Sequence, residues 1–440
     1  MECRSREARK CLREVANVIS GYAFRSSEFV SDGIPVVKIG NIRVGFVDLS
    51  NAECVNPTFL SLDSKYHVNP GDILISLTGS HLNQPNSVVG RVALHPSGLG
   101  PCLLNQRVGK VIVRRPAECD SRFLYYFLLA EQTRREIAVM AHGAANQANV
   151  SPTQIESLEM HLPTIWRQKH VASILSAYDA LIENNARRIA ILEEMALALY
   201  REWFVLFRFP GHQKVKMMES PLGAIPEGWE VTTLGEQLVT LESGKRPKGG
   251  VGETKEGVPS IGAENIIGVG RYDFAKDKFV SHEFFEQMRK GVVRDRDIAI
   301  YKDGAYIGKS SYFRDGFPHS QCCVNEHVFL LRANRLRLTQ NALYLWLQEP
   351  DTIQAIRATN ANAAQPGINQ QSVGGLELII SDPETASHFD GLVEPLLAEI
   401  INLAKRNRNL CIARDLLLPK LISGEIEVSN ASELPLEATA

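Results

Sequence analysis

Residues Thr164–Phe204, TIWRQKHVASILSAYDALIENNARRIAILEEMALALYREWF, are the stretch around which the sequence is organised. The stretch contains neither Gly nor Pro, and its apolar residues recur at the spacing of one helix face, although Asn185 and Arg188 interrupt the apolar seam. The apolar positions are Val171, Ile174, Leu175, Tyr178, Leu181, Ile182, Ile189, Leu192, Met195 and Leu199. A helix this long would extend about 60 Å. Because a compact domain rarely buries such a length, the pattern predicts a long partner helix.

A second stretch, His388–Leu421, repeats this pattern later in the chain. Ile182 corresponds to Ile400 and Leu199 to Leu417, in both cases 218 positions later. The repeat favours two helices that pack on each other. The alternative is that each amphipathic helix packs only on its own domain.

The ends of the second helix carry recognisable signals. Asp382-Pro383-Glu384 combines a capping residue, a Pro at the first helical position and an acidic residue in the first turn. Gly424 stands just beyond the last apolar position, where helices often stop. Pro395 predicts either a kink or a delayed start of the regular helix.

Composition bounds the function classes. The chain has 440 residues, of which 44% are hydrophobic and 22% charged, values typical of globular proteins with two to four domains at this length. Since the formal net charge is −2, a nucleic-acid surface has to be a local patch. No apolar run approaches 18 residues, and the N-terminus MECRSREARK lacks an apolar core, so neither a membrane span nor a signal peptide is expected. Eight scattered cysteines without a C-x-x-C pair indicate reduced thiols in a cytoplasm.

The order of short motifs runs twice along the chain. Gly33-Ile-Pro35 returns as Gly257-Val-Pro259, and Asp72-Ile73 returns as Asp297-Ile298. The sequence therefore predicts two copies of one unit, each a β-rich globule followed by a long helix. The fold class is α+β, with two β-rich α/β domains in a tandem pseudo-repeat joined by the two helices. In the first copy, Leu12–Gly21 is expected to form a short helix.

No constellation of catalytic residues is found. Gly304-Ala-Tyr-Ile-Gly308-Lys309-Ser310 resembles a phosphate-binding loop, but it has one residue too few between its glycines and no helix is expected after it. The histidines show no metal-ligand spacing. These observations count against an enzyme.

Polar, amide-rich and basic loops remain as candidate sites. Asn and Gln bind adenine edges, and Arg and Lys bind guanine or phosphate. The candidate DNA-binding residues of the first copy are Tyr22, Lys38, Asn41, Arg43, Thr78, Ser80, His81, Asn83, Gln84, Asn86, Arg91 and Gln147. Those of the second copy are Lys245, Arg246, Lys248, Glu264, Asn265, Lys302, Lys309 and Gln365. The alternative for each is a solvated loop residue or a turn cap, and Asn41, Asn105, Asn265 and Asn325 are also interpreted as caps at strand ends.

Motifs over nearly the whole chain carry a family resemblance. Those of the first copy are Gly33-Ile-Pro35 with Asn41-Ile42, Gly71-Asp72-Ile-Leu with Gly79, and Gln147-Ala-Asn-Val-Ser151 leading to Leu162-Pro163. Those of the second are Leu222-Gly-x-Ile-Pro226-x-Gly-Trp229, Gly257-x-Pro259, Asp297-Ile298, Gln365-x-x-Ile-Asn369 and Leu418-Pro-Lys-Leu-Ile-Ser-Gly-Glu-Ile426. No single motif is specific, but the double set in this order resembles the specificity subunit of a type I restriction–modification system.

The resemblance implies a division of labour. Residues 1–162 and 219–381 would be target recognition domains, each reading one half of a split double-stranded DNA sequence. Residues 163–218 and 382–428 would be spacers, their helices paired as an antiparallel coiled coil, and 429–440 a flexible tail. This chain would hold no cofactor. S-adenosylmethionine, ATP and Mg would belong to partner subunits, namely two modification subunits and the restriction subunits.

The cysteine pattern and the absence of a long apolar run predict a cytoplasmic protein with no membrane contact. Two alternatives come from other classes. One is an enzyme with a fused adenine-methyltransferase or nuclease activity, and the other is a coiled-coil adaptor that does not bind DNA.

Overall fold

A computed structural model of the chain describes residues 8–80, 89–96, 98–144, 147–248, 250–251, 256–304, 306–334, 337–360 and 367–428. The chain divides into two compact units. Unit 1 combines the residues up to Ala180 with those from Cys411 onward, and unit 2 is Leu181–Leu410. Each long helix therefore has one part in each unit.

Unit 1 is built on two five-stranded sheets. Its strands are β1 (Ala8–Cys11), β2 (Ala16–Ser20), β3 (Phe29–Val30), β4 (Ile34–Val37), β5 (Gly45–Phe46), β6 (Cys54–Val55), β7 (His67–Val68), β8 (Ile73–Ser76), β9 (Thr78–Gly79), β10 (Val92–Leu94), β11 (Cys102–Leu104), β12 (Val108–Val113), β13 (His142–Ala144), β14 (Gln147–Asn149) and β15 (Glu159–Leu162). Its helices are α1 (Ser121–Leu129), α2 (Glu131–Met140), α3 (Pro152–Glu156) and the first part of α4 (Ile165–Tyr200). The sheet orders are β2-β12-β8-β10-β5 and β3-β6-β4-β11-β7, with a small sheet β13-β14-β9 and the pair β1-β15.

Both ends of the chain contribute to the core of unit 1. The first five-stranded sheet packs against α1, and the core also contains Val171 and Leu175 of α4. Leu418 and Leu421, from the end of the C-terminal helix, lie in the same core at 7% and 4% exposure. Burial of these apolar side chains fixes the C-terminal residues onto the first unit.

Unit 2 has the same arrangement, with sheets of four and three strands in place of the two five-stranded sheets. Its strands are β16 (Met217–Ser220), β17 (Gly223–Pro226), β18 (Glu230–Thr233), β19 (Leu238–Ser243), β20 (Val258–Ile261), β21 (Phe279–Val280), β22 (Ile298–Tyr301), β23 (Ser310–Tyr312), β24 (Cys323–Val324), β25 (Val328–Ala333) and β26 (Glu377–Ile380). Its helices are α5 (Leu234–Gln237), α6 (His282–Glu286), α7 (Gln340–Trp346), α8 (Pro350–Ala358), α9 (Gln370–Gly374) and α10 (Pro383–Ser423), the last of which ends in unit 1.

The predicted internal repeat is a repeat of topology. The order β19-β25-β22-β23 in unit 2 reproduces β2-β12-β8-β10 in unit 1, and β21-β20-β24 reproduces β6-β4-β11. The pair β18-β26 matches β1-β15 and is antiparallel in both units. The parallel pairing of β4 with β11 likewise recurs between β20 and β24.

Helix α4 packs against α10, as the sequence predicts. Within unit 2, Asn185 of α4 contacts Asn407 of α10, and Arg188, further along α4, contacts Glu399, which lies earlier on α10. The two helices are therefore antiparallel. Within unit 1, Asp179 of α4 accepts a hydrogen bond from Arg414 of α10 over 2.7 Å. The first part of α10 also packs on the globule of its own unit, where Phe389, Val393 and Leu397 are fully buried.

The predicted start signal at Asp382-Pro383-Glu384 is confirmed, because α10 begins at Pro383 and Oδ1 of Asp382 accepts a hydrogen bond from the Thr385 amide at 2.9 Å. Of the two alternatives for Pro395, the delayed start is therefore excluded. One local expectation is wrong. The expected helix at Leu12–Gly21 is reduced to one 3-10 turn followed by strand β2. Pairing of β2 with β12 and burial of Val18 override the local preference for a helix.

A network of ion pairs and hydrogen bonds connects the globule of unit 2 to α10. Arg314 is 1% exposed, and its guanidinium donates to Oε1 of Glu394 at 2.6 Å. Arg296 binds both carboxylate oxygens of Glu394, at 2.7 and 3.0 Å, and Asn341 donates to Oε2 at 2.9 Å. Burial alone would raise the pKa of Glu394, but the hydrogen bonds from Arg296, Asn341 and Arg314 outweigh it and lower the pKa to about 2.

Candidate nucleic-acid interface

Three loops of unit 1 meet at one end of its first sheet. Strands β2 and β8 end at Ser20 and Ser76, which lie opposite Gly109 and Val108 at the start of β12. We call residues 21–24, 77–80 and 105–107 the loop end of unit 1. The same pairing in unit 2 sets Ser243 and Tyr301 opposite Phe329 and Val328 of β25. Residues 244–248, 302–304 and 325–327 are the loop end of unit 2.

Tyr22 and Thr78 lie at the loop end of unit 1 and are largely engaged within the protein. The Tyr22 ring packs on Phe24, with ring centroids 4.9 Å apart, and on Tyr66 at 5.6 Å. Thr78 is 7% exposed and donates its hydroxyl to Oδ1 of Asn149 over 2.7 Å. Ser80 is half-buried beside them. Strand β14 carries Gln147 next to β9.

Lys38, Asn41 and Arg43 follow strand β4. Lys38 Nζ lies 2.6 Å from Oε2 of Glu53 and 3.7 Å from the centre of the Phe29 ring. Asn41 is 7% exposed, accepts a hydrogen bond from the Lys38 amide and donates to the Asp48 carbonyl, both at 2.9 Å. These bonds fit the interpretation of Asn41 as a turn cap.

Arg43 and Arg91 lie at the same surface. The Arg43 guanidinium lies 3.3 Å from the Asp48 carboxylate and is about half exposed. Arg91 is half-buried, and burial lowers its pKa, with the nearby positive charges of Arg43 and Arg134 acting in the same direction. His81, Asn83, Gln84, Asn86 and Gln365 lie outside the described residues.

The loop end of unit 2 carries more positive charge. Lys245, Arg246 and Lys248 are exposed on the loop after β19. Arg246 Nε lies 3.1 Å from Oε1 of Glu326. Lys302 follows β22, its Nζ 5.3 Å from the centre of the Phe329 ring. Exposed Lys309, on the hairpin between β22 and β23, has its Nζ 4.3 Å from the centre of the Tyr306 ring.

Glu264 and Asn265 occupy the turn after β20. Burial acts to raise the pKa of Glu264, but the hydrogen bond and charge of Lys278 prevail and lower it. Asn265 is 2% exposed, and its Oδ1 has no hydrogen-bond partner among the described residues. Asn325 caps a neighbouring turn, where its Oδ1 accepts from the His327 amide at 2.9 Å.

The loop that resembled a phosphate-binding motif connects two strands. Residues 302–309 join β22 to β23, and the Gly308 amide donates back to the Tyr301 carbonyl at 3.1 Å. No helix follows whose N-terminus could face a phosphate. In the part of the chain that the structure describes, no group of three His, Cys, Asp or Glu residues is placed to hold a metal. Over the same residues, no helix combines the length and apolarity needed to cross a membrane.

Comparisons with known proteins agree on one family. The model of the type I restriction modification DNA specificity domain matches residues 8–194. The specificity subunit of type I restriction enzyme MjaIX from Methanocaldococcus jannaschii is 24% identical over 355 residues, covering 80% of this chain and 78% of that protein. The EcoBI specificity subunit of Escherichia coli is 23% identical over 96% of this chain and 86% of its own length. Residues 8–194 therefore carry the specificity domain of this family.

A solved structure has the same fold as this specificity subunit. The crystal structure of the S subunit of a type I restriction–modification system from M. genitalium aligns over 98% of this chain and 99% of that one. The TM-score is 0.53 at 17% sequence identity. Two domains joined by long helices are therefore the fold that this chain shares with that S subunit.

The family assignment settles the class of function. The chain is the non-catalytic recognition subunit of a type I system, and it works with DNA and with the other subunits of that system. The alternatives of a fused methyltransferase or nuclease and of an adaptor that ignores DNA are not supported.

Residues missing from the sequence-based set also lie at the loop ends. Asp303 follows β22, Glu326 and His327 form the turn before β25, and Gln106 and Arg107 form the equivalent turn before β12. Asn105 and Asn325 stand at equivalent places before these turns, and both were interpreted from the sequence as caps at strand ends. The two residues that follow Asn105 and the two that follow Asn325 could therefore have been identified from the sequence as candidate site residues.

Proposed function

We propose that each unit of this specificity subunit reads one half of a split DNA target and that α4 and α10 set the gap between the halves. In this proposal, domains 1–162 and 219–381 are the readers, segments 163–218 and 382–428 are the spacers, and 429–440 is a tail. The observation that carries it is the repeated strand order of two units whose loop ends differ in charge.

Divergent loops on one scaffold suit two readers of different sequences. Loops presented by a rigid sheet vary without disturbing the core. The loop end of unit 2 places Lys245, Arg246 and Lys248 where the equivalent residues 22–25 of unit 1 are mostly uncharged. Basic side chains of this kind bind phosphates, while amides, carboxylates and guanidinium groups bind base edges.

The partner subunits supply the chemistry in this proposal. Two modification subunits hold S-adenosylmethionine and methylate adenine, and restriction subunits use ATP and Mg. The helix pair provides their docking frame, since both helices continue from one unit into the other. The complex acts in the cytoplasm, and free cysteines among the described residues suit such a reducing compartment.

Replacement of one unit tests the proposal. Residues 12–160 are exchanged for the matching segment of a relative, the chain is assembled with its modification subunits, and methylated motifs are mapped across a genome. One half of the motif should change while the other half and the gap stay the same. A change in both halves, or in neither, contradicts the proposal. The purified chain alone should show no methylation, cleavage or ATP hydrolysis.

A further inference from the structure

The turn after Asn105 has the same backbone design as the turn after Asn325. Oδ1 of Asn105 accepts a hydrogen bond from the Arg107 amide at 3.2 Å, and Oδ1 of Asn325 accepts from the His327 amide at 2.9 Å. Both asparagines are buried, at 8% and 6% exposure. The turn is therefore a fixed element of the repeated scaffold.

A second set of bonds ties each turn to the neighbouring sheet. The Asn105 amide donates to the Val37 carbonyl at 3.1 Å, and the Asn325 amide donates to the Ile261 carbonyl at 3.0 Å. Val37 and Ile261 end strands β4 and β20, which are equivalent in the two units. A turn held from both sides presents its side chains with little freedom, which is what recognition of a base edge requires.

The side chains on this shared turn differ completely. Unit 1 has Gln106 and Arg107, both exposed, whereas unit 2 has Glu326 and His327, both half-exposed. An amide and a guanidinium are thus replaced by a carboxylate and an imidazole at equivalent places. Constant backbone with divergent exposed side chains is the pattern of a position that selects a ligand.

In unit 2 the turn belongs to a chain of charged and polar side chains. Oε1 of Glu326 lies 3.1 Å from Nε of Arg246 and 3.3 Å from Nε2 of His327. Nδ1 of His327 lies 2.9 Å from Oδ2 of Asp303, which lies 3.6 Å from Nζ of Lys302. These side chains are 22–42% exposed. Ion pairs this exposed contribute little to stability, so their concentration at the loop end calls for a different explanation.

From this arrangement, and given the proposed function, we infer that the two-residue turn is a base-reading element in both units. In unit 2, the Glu326 carboxylate accepts a hydrogen bond from the one amino N–H that a paired cytosine exposes in the major groove. Asp303 forms a hydrogen bond with the neighbouring His327 and holds it in place. The Glu326 carboxylate is repelled by the O6 of guanine and the O4 of thymine. Arg246 and Lys302 offset the repulsion between the two carboxylates and the phosphates. In unit 1, Gln106 and Arg107 take adenine and guanine edges instead.

A reciprocal exchange of the turns tests the inference in the complex with modification subunits. Glu326→Gln with His327→Arg gives unit 2 the turn of unit 1, and Gln106→Glu with Arg107→His does the reverse. The first exchange should change the half of the methylated motif that unit 2 reads and leave the other half and the gap intact. The second exchange should alter only the other half.

A single substitution of nearly the same shape measures how much Glu326 contributes to discrimination between DNA sequences. Discrimination is measured as the ratio of kcat/KM for methylation of the mapped target to kcat/KM for a duplex in which one base pair differs. Glu326→Gln should lower this ratio roughly 5- to 150-fold. Glu230→Gln is the matched control. Glu230 pairs with Arg337, which follows the end of strand β25 that is opposite the loop end. Loss of the Glu230 charge should therefore leave discrimination unchanged.

The outcomes separate the inference from the proposed function. Unchanged motif and discrimination in a Glu326→Gln protein with an unchanged melting temperature would overturn the inference. Loss of both halves together would also overturn it, because the turn would then only support the fold. If replacing residues 12–160 changes one half while the turn exchanges change none, the inference alone fails. If that replacement also changes nothing, the proposed function fails.

Discussion

Asn185 of α4 donates its side-chain amide to Oδ1 of Asn407 of α10 over 2.8 Å, inside the apolar contact between the two helices. Asn185 is 8% exposed, and Nδ2 of Asn407 in turn donates to the Ile182 carbonyl at 3.1 Å. An amide pair in a helix contact, here a buried Asn185 with a half-buried Asn407, costs stability but holds the helices in one register, because a slip would leave both amides unpaired.

The first prediction concerns this pair. Asn185→Leu should lower the free energy of unfolding by about 1–3 kcal/mol, since the Asn407 oxygen loses its donor. Asn185→Leu with Asn407→Leu should restore most of that loss. Urea unfolding followed by tryptophan fluorescence is suitable, because Trp203, Trp229 and Trp346 lie in unit 2. The control is Asn402→Leu at an exposed position of α10. Additive effects of the two Asn substitutions would show that the amides are not coupled.

The second prediction concerns the carboxylate that joins the globule of unit 2 to α10. Glu394→Ala removes the nearer of the two carboxylates that pair with the buried Arg314 guanidinium and leaves only Asp315, at 3.4 Å, so it should cost about 3–5 kcal/mol of stability. Glu399→Ala removes a surface partner of Arg188 on the same helix and should cost about 0–1 kcal/mol. Equal effects of the two substitutions on urea unfolding would contradict the importance of the Glu394 network.

The same network predicts a dependence on acid. The pKa of Glu394 falls from an ordinary value of 4.5 to about 2 in the folded protein, so the folded state binds its proton less readily than the unfolded state. Its contribution is therefore complete above about pH 4.5 and is lost as the pH falls toward 2. The stability difference between the wild type and Glu394→Gln should shrink over that window. A difference that stays constant from pH 6 to pH 3 would contradict this.

A third prediction concerns the basic loop of unit 2. Changing Lys245, Arg246 and Lys248 to Ala should weaken DNA binding by the assembled complex, and the slope of log affinity against log salt should become shallower by up to about 3. Alanine at exposed Lys276, which pairs with Asp273 in the same unit, is the control. An unchanged salt slope in the triple variant would place the loop away from the phosphates.

A fourth prediction concerns the length of the helices. Four residues inserted after Ala186 add about one turn, or roughly 6 Å. Because B-DNA rises about 3.4 Å per base pair, the gap between the recognised halves should grow by one or two base pairs. The insertion shifts α4 along α10, so a second variant carries four matched residues after Leu403 to restore the Asn185–Asn407 contact. Motif mapping that returns the original gap from an active complex would show that the helices do not set it.

The long helices and the repeat could be predicted from sequence because both are periodic. A run free of Gly and Pro around Leu192, matched 218 positions later at Leu410, leaves few structures other than a helix pair. The sequence also marked Asn185 as an interruption of the apolar seam. Its partner Asn407 could not be named, because the relative shift of two helices depends on packing over their whole length.

The loop ends were harder to predict because strand pairing assembles them. Asp303 and His327 are 24 residues apart in the chain and meet only because β22 pairs with β25. Strand β2 was missed for a similar reason. Its five residues become a strand through contact with β12, and that contact is invisible to a local pattern.

The return of α10 to unit 1 has a consequence for synthesis on the ribosome. Val171 and Leu175 are buried in a core that also contains Leu418 and Leu421, yet residues 181–410 are translated in between. At bacterial-scale rates of about 5–20 residues per second, that interval lasts roughly 10–50 s. During this time the nascent first unit carries an uncovered apolar face, which chaperones would have to shield. A stop codon anywhere before Leu418 would damage the unit made first as well as the helix made last.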